Sequence, residues 1–122
     1  MTMKITIIDD DPDIVEVISL VLENAGHSVT SSPAGVNAIS LIRKKRPDLI
    51  LTDLVMAEMD GLELCREIRK DKLLEKTKII MISARADEMW KEKARDAGAD
   101  GYIEKPIDTA TFVKDVESLS AL

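Results

Sequence analysis

The chain has 122 residues, of which 45% are hydrophobic and 33% are charged, a balance typical of a folded protein and not of a disordered one. Lys and Arg number 17 against 23 Asp and Glu, so the formal net charge of −6 argues against direct nucleic-acid binding. No apolar run approaches the about 18 residues of a membrane span, and the start lacks a signal peptide's apolar stretch. The single cysteine, Cys65, excludes an internal disulfide and suits a reducing compartment. We therefore expect one domain, residues 1–122, in the cytoplasm and away from membranes.

The first half of the chain alternates short apolar strands with amphipathic helices. Asp11 and Pro12 predict a helix start, and Gly26 predicts its end. In chain order, the predicted elements are a strand at 3–8, a helix from 12 to 25, a strand at 27–30, a helix at 35–46 and a strand at 48–52.

The second half continues the alternation. Asp60 followed by Glu63 resembles a capping box at the start of a third helix, and Asp108 is the predicted cap of the last helix. The remaining predicted elements are a strand at 78–82, a helix at 87–97, a strand at 101–104 and a helix ending near residue 120.

This alternation predicts an α/β fold of the (βα)₅ type. Strands joined by helices form a parallel sheet with helices on both faces, and such a sheet requires the nearly continuous apolar strands seen here. The sequence contains no internal repeat and no linker, so a second domain is not expected.

Polar side chains follow four of the predicted strands. Asp9 and Asp10 follow the first, Asp53 the third, Ser83 the fourth and Lys105 the fifth. The carboxyl ends of parallel strands share one edge, where ligands bind. Clustered carboxylates repel one another unless a cation is present, and all-oxygen ligands favour Mg²⁺ or Mn²⁺ over Zn²⁺. One acid could then attack phosphorus, while lysine and serine hold phosphoryl oxygens.

Four motifs then point to a family. IIDDDP, LILTDLVMAEMDGLEL, IIMISA and GADGYIEKPI occur in the order and at the spacing of the receiver domain of two-component response regulators, and the sequence resembles that family over essentially its whole length. The resemblance implies a flavodoxin-like, doubly wound sheet of five parallel strands in the order 2-1-3-4-5.

The resemblance also implies a metal-assisted phosphorylation site. Asp53 matches the phosphoacceptor, Asp10 matches a direct metal ligand, and Asp9 matches an acid that acts largely through water. The backbone carbonyl of Val55 matches a further metal ligand. The implied cofactor is Mg²⁺, with Mn²⁺ possible.

Further positions match the switch residues of the family. Ser83 matches the switch hydroxyl and Tyr102 the aromatic switch position, while Lys105 matches the family's lysine and its bond to Pro106 is expected to be cis. The implied function is a phosphorylation-activated signalling switch, not an enzyme acting on separate substrates. A sensor histidine kinase or phosphotransfer protein would supply the phosphoryl group. The face formed by the fourth helix, fifth strand and fifth helix would then change to regulate an output partner.

One position departs from the family's usual pattern, and two others stand where relatives vary. Ala57 stands where the family usually has proline, which predicts a less rigid loop. Val55 and Arg85 occupy the two variable positions that flank the phosphoryl group in relatives. Apolar Val55 gives an attacking water no hydrogen-bond partner, so we predict slow self-dephosphorylation.

The sequence disfavours three alternative functions. A haloacid-dehalogenase-like phosphatase would need an aspartate where Val55 stands. A flavin- or nucleotide-binding module on the same fold is not supported, because the sequence lacks the glycine-rich motifs that bind nucleotides. A degenerate receiver serving only as an interaction module is disfavoured by the intact Asp, Ser and Lys set. The kinase, the output partner and the choice between monomer and phosphorylation-dependent dimer stay open.

Some conspicuous residues are expected to be structural. Asp60 is interpreted as a helix cap, Cys65 as an inert core residue and His27 as a residue without a functional partner. Trp90 lies on a strongly charged predicted helix, so both partial burial and partner docking stay open.

Overall fold

The computed structural model describes residues 2–33, 36–56 and 59–121. The predicted helix start at Gly35 and the predicted effect of Ala57 on its loop lie outside these ranges. The strands are Lys4–Ile8 (β1), Ser28–Ser32 (β2), Leu49–Asp53 (β3), Lys78–Ser83 (β4) and Gly101–Glu104 (β5). The helices are Pro12–Asn24 (α1), Val36–Lys45 (α2), Gly61–Arg69 (α3), Glu88–Ala97 (α4) and Phe112–Ser120 (α5).

The strands form one parallel sheet in the order β2-β1-β3-β4-β5. This confirms the (βα)₅ class and the 2-1-3-4-5 order. The register pairs Ile8 with Thr52 and Asp53 with Ile82, so the carboxyl ends of the three central strands lie side by side. The sheet therefore delivers whatever follows these strands to one edge.

Helices cover both faces of the sheet, as predicted. On one face, apolar side chains of α2, α3 and α4 pack against Ile8, Ile50 and Met81. On the other face, α1 and α5 pack against the alternate strand residues, with Phe112 fully buried among them. No helix among the described residues is long and apolar enough to cross a membrane.

Of three helix caps predicted from the sequence, two are confirmed and one is wrong. Asp11 accepts a hydrogen bond from the Asp13 amide at the start of α1, and Asp60 Oδ1 accepts one from the Glu63 amide at 2.8 Å. The prediction that Asp108 caps the last helix is wrong. The Asp108 carboxylate accepts from the Ala110 amide in a turn, which delays α5 to Phe112.

A long-range cluster closes the amino-terminal edge of the sheet. Arg69, at the end of α3, donates to the backbone carbonyls of Gly98 and Thr77, each at 2.9 Å, and to Asp100 Oδ2 at 2.7 Å. The same Asp100 oxygen accepts from the Ile79 amide at the start of β4. One guanidinium at the end of α3 thus joins the α3–β4 connection to the α4–β5 connection. The first of these contains a 3₁₀ turn at Lys72–Leu74 that the sequence did not predict.

His27, expected to lack a partner pattern, has two partners. It is buried at the same edge of the sheet, and its Nδ1 accepts from the Met3 amide at 3.0 Å. Its Nε2 lies 2.8 Å from Glu117 Oε2 on α5. Since Nδ1 is an acceptor, the neutral ring carries its proton on Nε2 and donates it to Glu117.

Candidate functional site at the carboxyl edge of the sheet

The structure brings four predicted site residues together. Asp9 follows β1, Asp53 and Ser83 end β3 and β4, and Lys105 follows β5. Asp10 is exposed beside Asp9. We call this group of five residues the acidic rim.

Lys105 lies between two carboxylates of the acidic rim. Its Nζ is 3.1 Å from Asp53 Oδ2 and 3.7 Å from Asp9 Oδ2. The three side chains are only 18%, 17% and 5% exposed, in the order Lys105, Asp53 and Asp9. Because water screens these charges incompletely, the ammonium offsets much of the repulsion between the acids. The peptide bond from Lys105 to Pro106 is cis, as the resemblance implied.

Asp9 is the most buried acid of the rim. Burial is the largest influence on its carboxyl group and raises its pKa above the ordinary value. The Asp11 amide, which donates to Asp9 Oδ1 at 2.9 Å, and the nearby Lys105 act in the opposite direction. The carboxylate therefore occupies a position that favours a cation beside it.

Asp53 is positioned by backbone contacts on both sides. Its Oδ1 accepts a 3.4 Å hydrogen bond from the amide of Val55, an apolar residue that is 56% exposed. Gly61, the first residue of α3, donates its amide to the Leu54 carbonyl at 2.8 Å. A β-carbon at Gly61 would overlap the Asp53 carbonyl oxygen.

Sequence reasoning missed this role of Gly61. Glycine is a poor helix former, so its place at the start of a helix was the available signal. The absence of a side chain lets α3 begin directly against the residue that carries the Asp53 carboxylate.

The two predicted switch residues are connected through Arg85. Ser83 is buried, and its Oγ accepts from the Arg85 amide at 3.1 Å. Tyr102 is partly buried, and its hydroxyl donates to the Arg85 carbonyl at 2.6 Å. The backbone of one loop residue therefore contacts both side chains.

The side chain of Arg85 has a separate contact. Its guanidinium carbon lies 4.9 Å from the ring centroid of Trp90 on α4, and Lys93 Nζ lies 4.7 Å from the same centroid. Trp90 is partly buried and packs against the core on the α3 side of the sheet. Of the two expectations for Trp90, partial burial is confirmed.

The donor chemistry of the acidic rim fits Mg²⁺. Within the described parts of the chain, no three Asp, Glu, His or Cys side chains are close enough together to hold an ion by themselves. Mg²⁺ does not need such a group, because it commonly takes one or two carboxylates, keeps several waters and binds phosphate oxygens. The pair Asp9 and Asp53, whose two charges are only partly balanced by one ammonium, and the neighbouring Asp10 match that requirement.

The chain belongs to the response regulator receiver domain family, which it matches over residues 5–117. It is 38% identical over 112 residues to the transcriptional regulatory protein CseB of Streptomyces avermitilis, covering 92% of this chain and 46% of that protein. It is 34% identical over 116 residues to the DNA-binding dual master transcriptional regulator RpaA of Synechocystis, covering 95% and 48%. The chain thus spans about half the length of these curated relatives.

Solved structures match over the whole fold. The chemotaxis response regulator CheY4 of Vibrio cholerae superimposes with a TM-score of 0.92 at 27% identity, covering 98% of this chain and 99% of that one. A putative response regulator from Chloroflexus aurantiacus gives a TM-score of 0.92 at 31% identity, covering 100% of both chains. Receiver domains of this family serve two-component signalling, interact with histidine kinases and bind Mg²⁺.

Proposed function

We propose that this chain is a phosphorylation-activated switch of a two-component phosphorelay. Asp53 accepts a phosphoryl group from a sensor histidine kinase or a phosphotransfer protein in a Mg²⁺-dependent reaction. The contact of Lys105 Nζ with both Asp53 and Asp9, at 3.1 and 3.7 Å, is the observation that carries this proposal. It sets a cation beside the carboxylate that would receive a dianionic group.

The proposed transfer is a displacement at phosphorus. A carboxylate oxygen of Asp53 forms the new O–P bond while the N–P bond of the phosphohistidine donor breaks, and the imidazole nitrogen keeps the electron pair. Lys105 and the Ser83 hydroxyl hold the transferred oxygens.

The metal is assigned to the same rim. Asp10, Asp53 and the Val55 backbone carbonyl would hold Mg²⁺ directly, and Asp9 would hold it through water. The bound ion supplies positive charge that opposes the charge on the phosphoryl oxygens.

The switch follows from the contacts of Ser83. If its Oγ turns to a phosphoryl oxygen, the Arg85 amide loses its acceptor, and the Arg85 carbonyl that holds Tyr102 moves with the loop. The face formed by α4, β5 and α5 then changes and regulates an output partner, with the domain as a monomer or a phosphorylation-dependent dimer. We place residues 1–122 in the cytoplasm as one receiver domain that does not itself bind nucleic acid.

Substitution of the acceptor tests this function. Wild-type protein, Asp53→Asn and Asp60→Asn are incubated with radiolabelled acetyl phosphate and Mg²⁺, and acid-stable, alkali-labile label is counted. Asp60→Asn is the matched control, because asparagine caps a helix about as well as aspartate does. We expect label on the wild type and on Asp60→Asn and none on Asp53→Asn. Label on Asp53→Asn at the wild-type level would refute the assignment.

A further inference from the structure

Arg85 is held at three points, one for each part of the residue. Its amide donates to the Ser83 hydroxyl oxygen, its carbonyl accepts from the Tyr102 hydroxyl, and its guanidinium lies over the Trp90 ring. Within residues 2–33, 36–56 and 59–121, no carboxylate lies at ion-pair distance from this guanidinium, so the aromatic ring is its partner.

The two cations on Trp90 differ in what they join. Lys93 lies on α4 together with Trp90, so its contact stays within one helix. Arg85 precedes α4, so its contact joins the loop after β4 to the helix. Trp90 is itself packed against the core, which makes it a firm attachment for that loop.

We infer that the Arg85–Trp90 contact restrains the loop after β4 in its unphosphorylated arrangement, so that both are positioning residues for phosphorylation of Asp53. This rests on the proposed function, in which Ser83 turns toward the phosphoryl group. Rotation of the Ser83 side chain removes the acceptor of the Arg85 amide. The loop can then move with Ser83 only as far as the Arg85 guanidinium moves off the Trp90 ring. Breaking the contact lowers the cost of reaching the phosphorylated arrangement.

Two variants break the contact, and only one of them changes the charge. Trp90→Leu removes the ring and keeps the cation near the acidic rim, whereas Arg85→Met removes the cation and keeps the ring. We expect both to speed labelling by acetyl phosphate about two- to fivefold, the range of a cation–π contact at an exposed site. Lys93→Met, the matched control, removes a cation from the same ring and should label at the wild-type rate. Arg85→Lys keeps a cation that can stack on the ring and should stay near that rate.

A change in labelling by Arg85→Met alone, or opposite responses of the two variants, would show a charge effect and overturn the inference, as would unchanged labelling in both. If Trp90→Leu does not fold, Arg85→Met decides, because it alters only an exposed side chain and Lys93→Met removes the same charge from the same ring.

Trp90 is the single tryptophan of the chain, so its emission gives an independent test. We expect acetyl phosphate with Mg²⁺ to change the emission of the wild type and to leave Asp53→Asn unchanged. Arg85→Met should show the changed emission before any phosphodonor is added and respond little afterwards. A full response in Arg85→Met would contradict the restraint. Absence of label on the wild type would instead refute the proposed function, which separates the two failures.

Discussion

Gly61→Ala tests how closely α3 is built against the Asp53 backbone. The added β-carbon would overlap the Asp53 carbonyl oxygen and lie 2.9 Å from the Met81 sulfur, whereas ordinary contacts begin at 3.4 Å. The sulfur can rotate away, but a backbone carbonyl cannot, so the end of β3 or the start of α3 must shift. Such overpacking costs about 1–3 kcal/mol, offset by up to about 1 kcal/mol of helix propensity. The shift itself moves Asp53, and a misplacement of about 1 Å can slow a reaction about 100-fold.

The assay compares Gly61→Ala with Gly26→Ala for unfolding in urea and for the rate of labelling by acetyl phosphate. Gly26 has a φ of +96°, and apart from its two chain neighbours no atom of the described residues lies within 4 Å of the place that a methyl group would take. Alanine there therefore costs only backbone strain of about 1–2 kcal/mol. We expect both variants to lose modest stability and only Gly61→Ala to label at least about tenfold more slowly. Labelling of Gly61→Ala within twofold of Gly26→Ala would refute the argument from close contact.

Three further predictions use other parts of the fold. Arg69→Met removes hydrogen bonds to two backbone carbonyls and to Asp100, so urea unfolding should show a loss of about 2–4 kcal/mol. Arg66→Met, at an exposed position, should keep the free energy of unfolding within about 0.5 kcal/mol of the wild type. Equal losses in the two variants would contradict a stabilising role for the hydrogen bonds of Arg69. Burial raises the pKa of Cys65 to about 11, so a disulfide reagent at pH 8 should label the thiol only after unfolding. Rapid labelling of the native protein would show that the thiol is not buried. Val55→Asn offers an attacking water one hydrogen bond and should speed loss of phosphate from the labelled protein about fivefold; an unchanged rate would remove Val55 as the cause of a slow reaction.

The acidic rim could be assembled from the sequence because parallel strands share one edge. Asp9, Asp53, Ser83 and Lys105 each lie at or just after the end of an apolar strand, so topology alone predicted their proximity. The roles of these residues came from the resemblance to receiver domains, since proximity does not say which carboxylate reacts.

The remaining features depend on contacts that strand and helix patterns do not encode. Asp108 has the residue type of a helix cap, but its carboxylate closes a turn first, and the helix begins later. Gly61 looks like a weak helix start until the Asp53 carbonyl is found beside it. The stacking of Arg85 on Trp90 depends on the path of a loop, which periodicity does not predict.

The hydrogen bond between His27 and Glu117 can report whether α5 moves relative to the sheet. The imidazole belongs to the only histidine in the chain, and its bond to α5 lies at the edge of the sheet opposite the acidic rim. A rearrangement confined to the loop after β4 leaves this bond intact, whereas displacement of α5 as a rigid rod breaks it. The nitrogen and carbon resonances of one imidazole ring can therefore distinguish a signal that stops at the surface of α4 from one that moves the last helix.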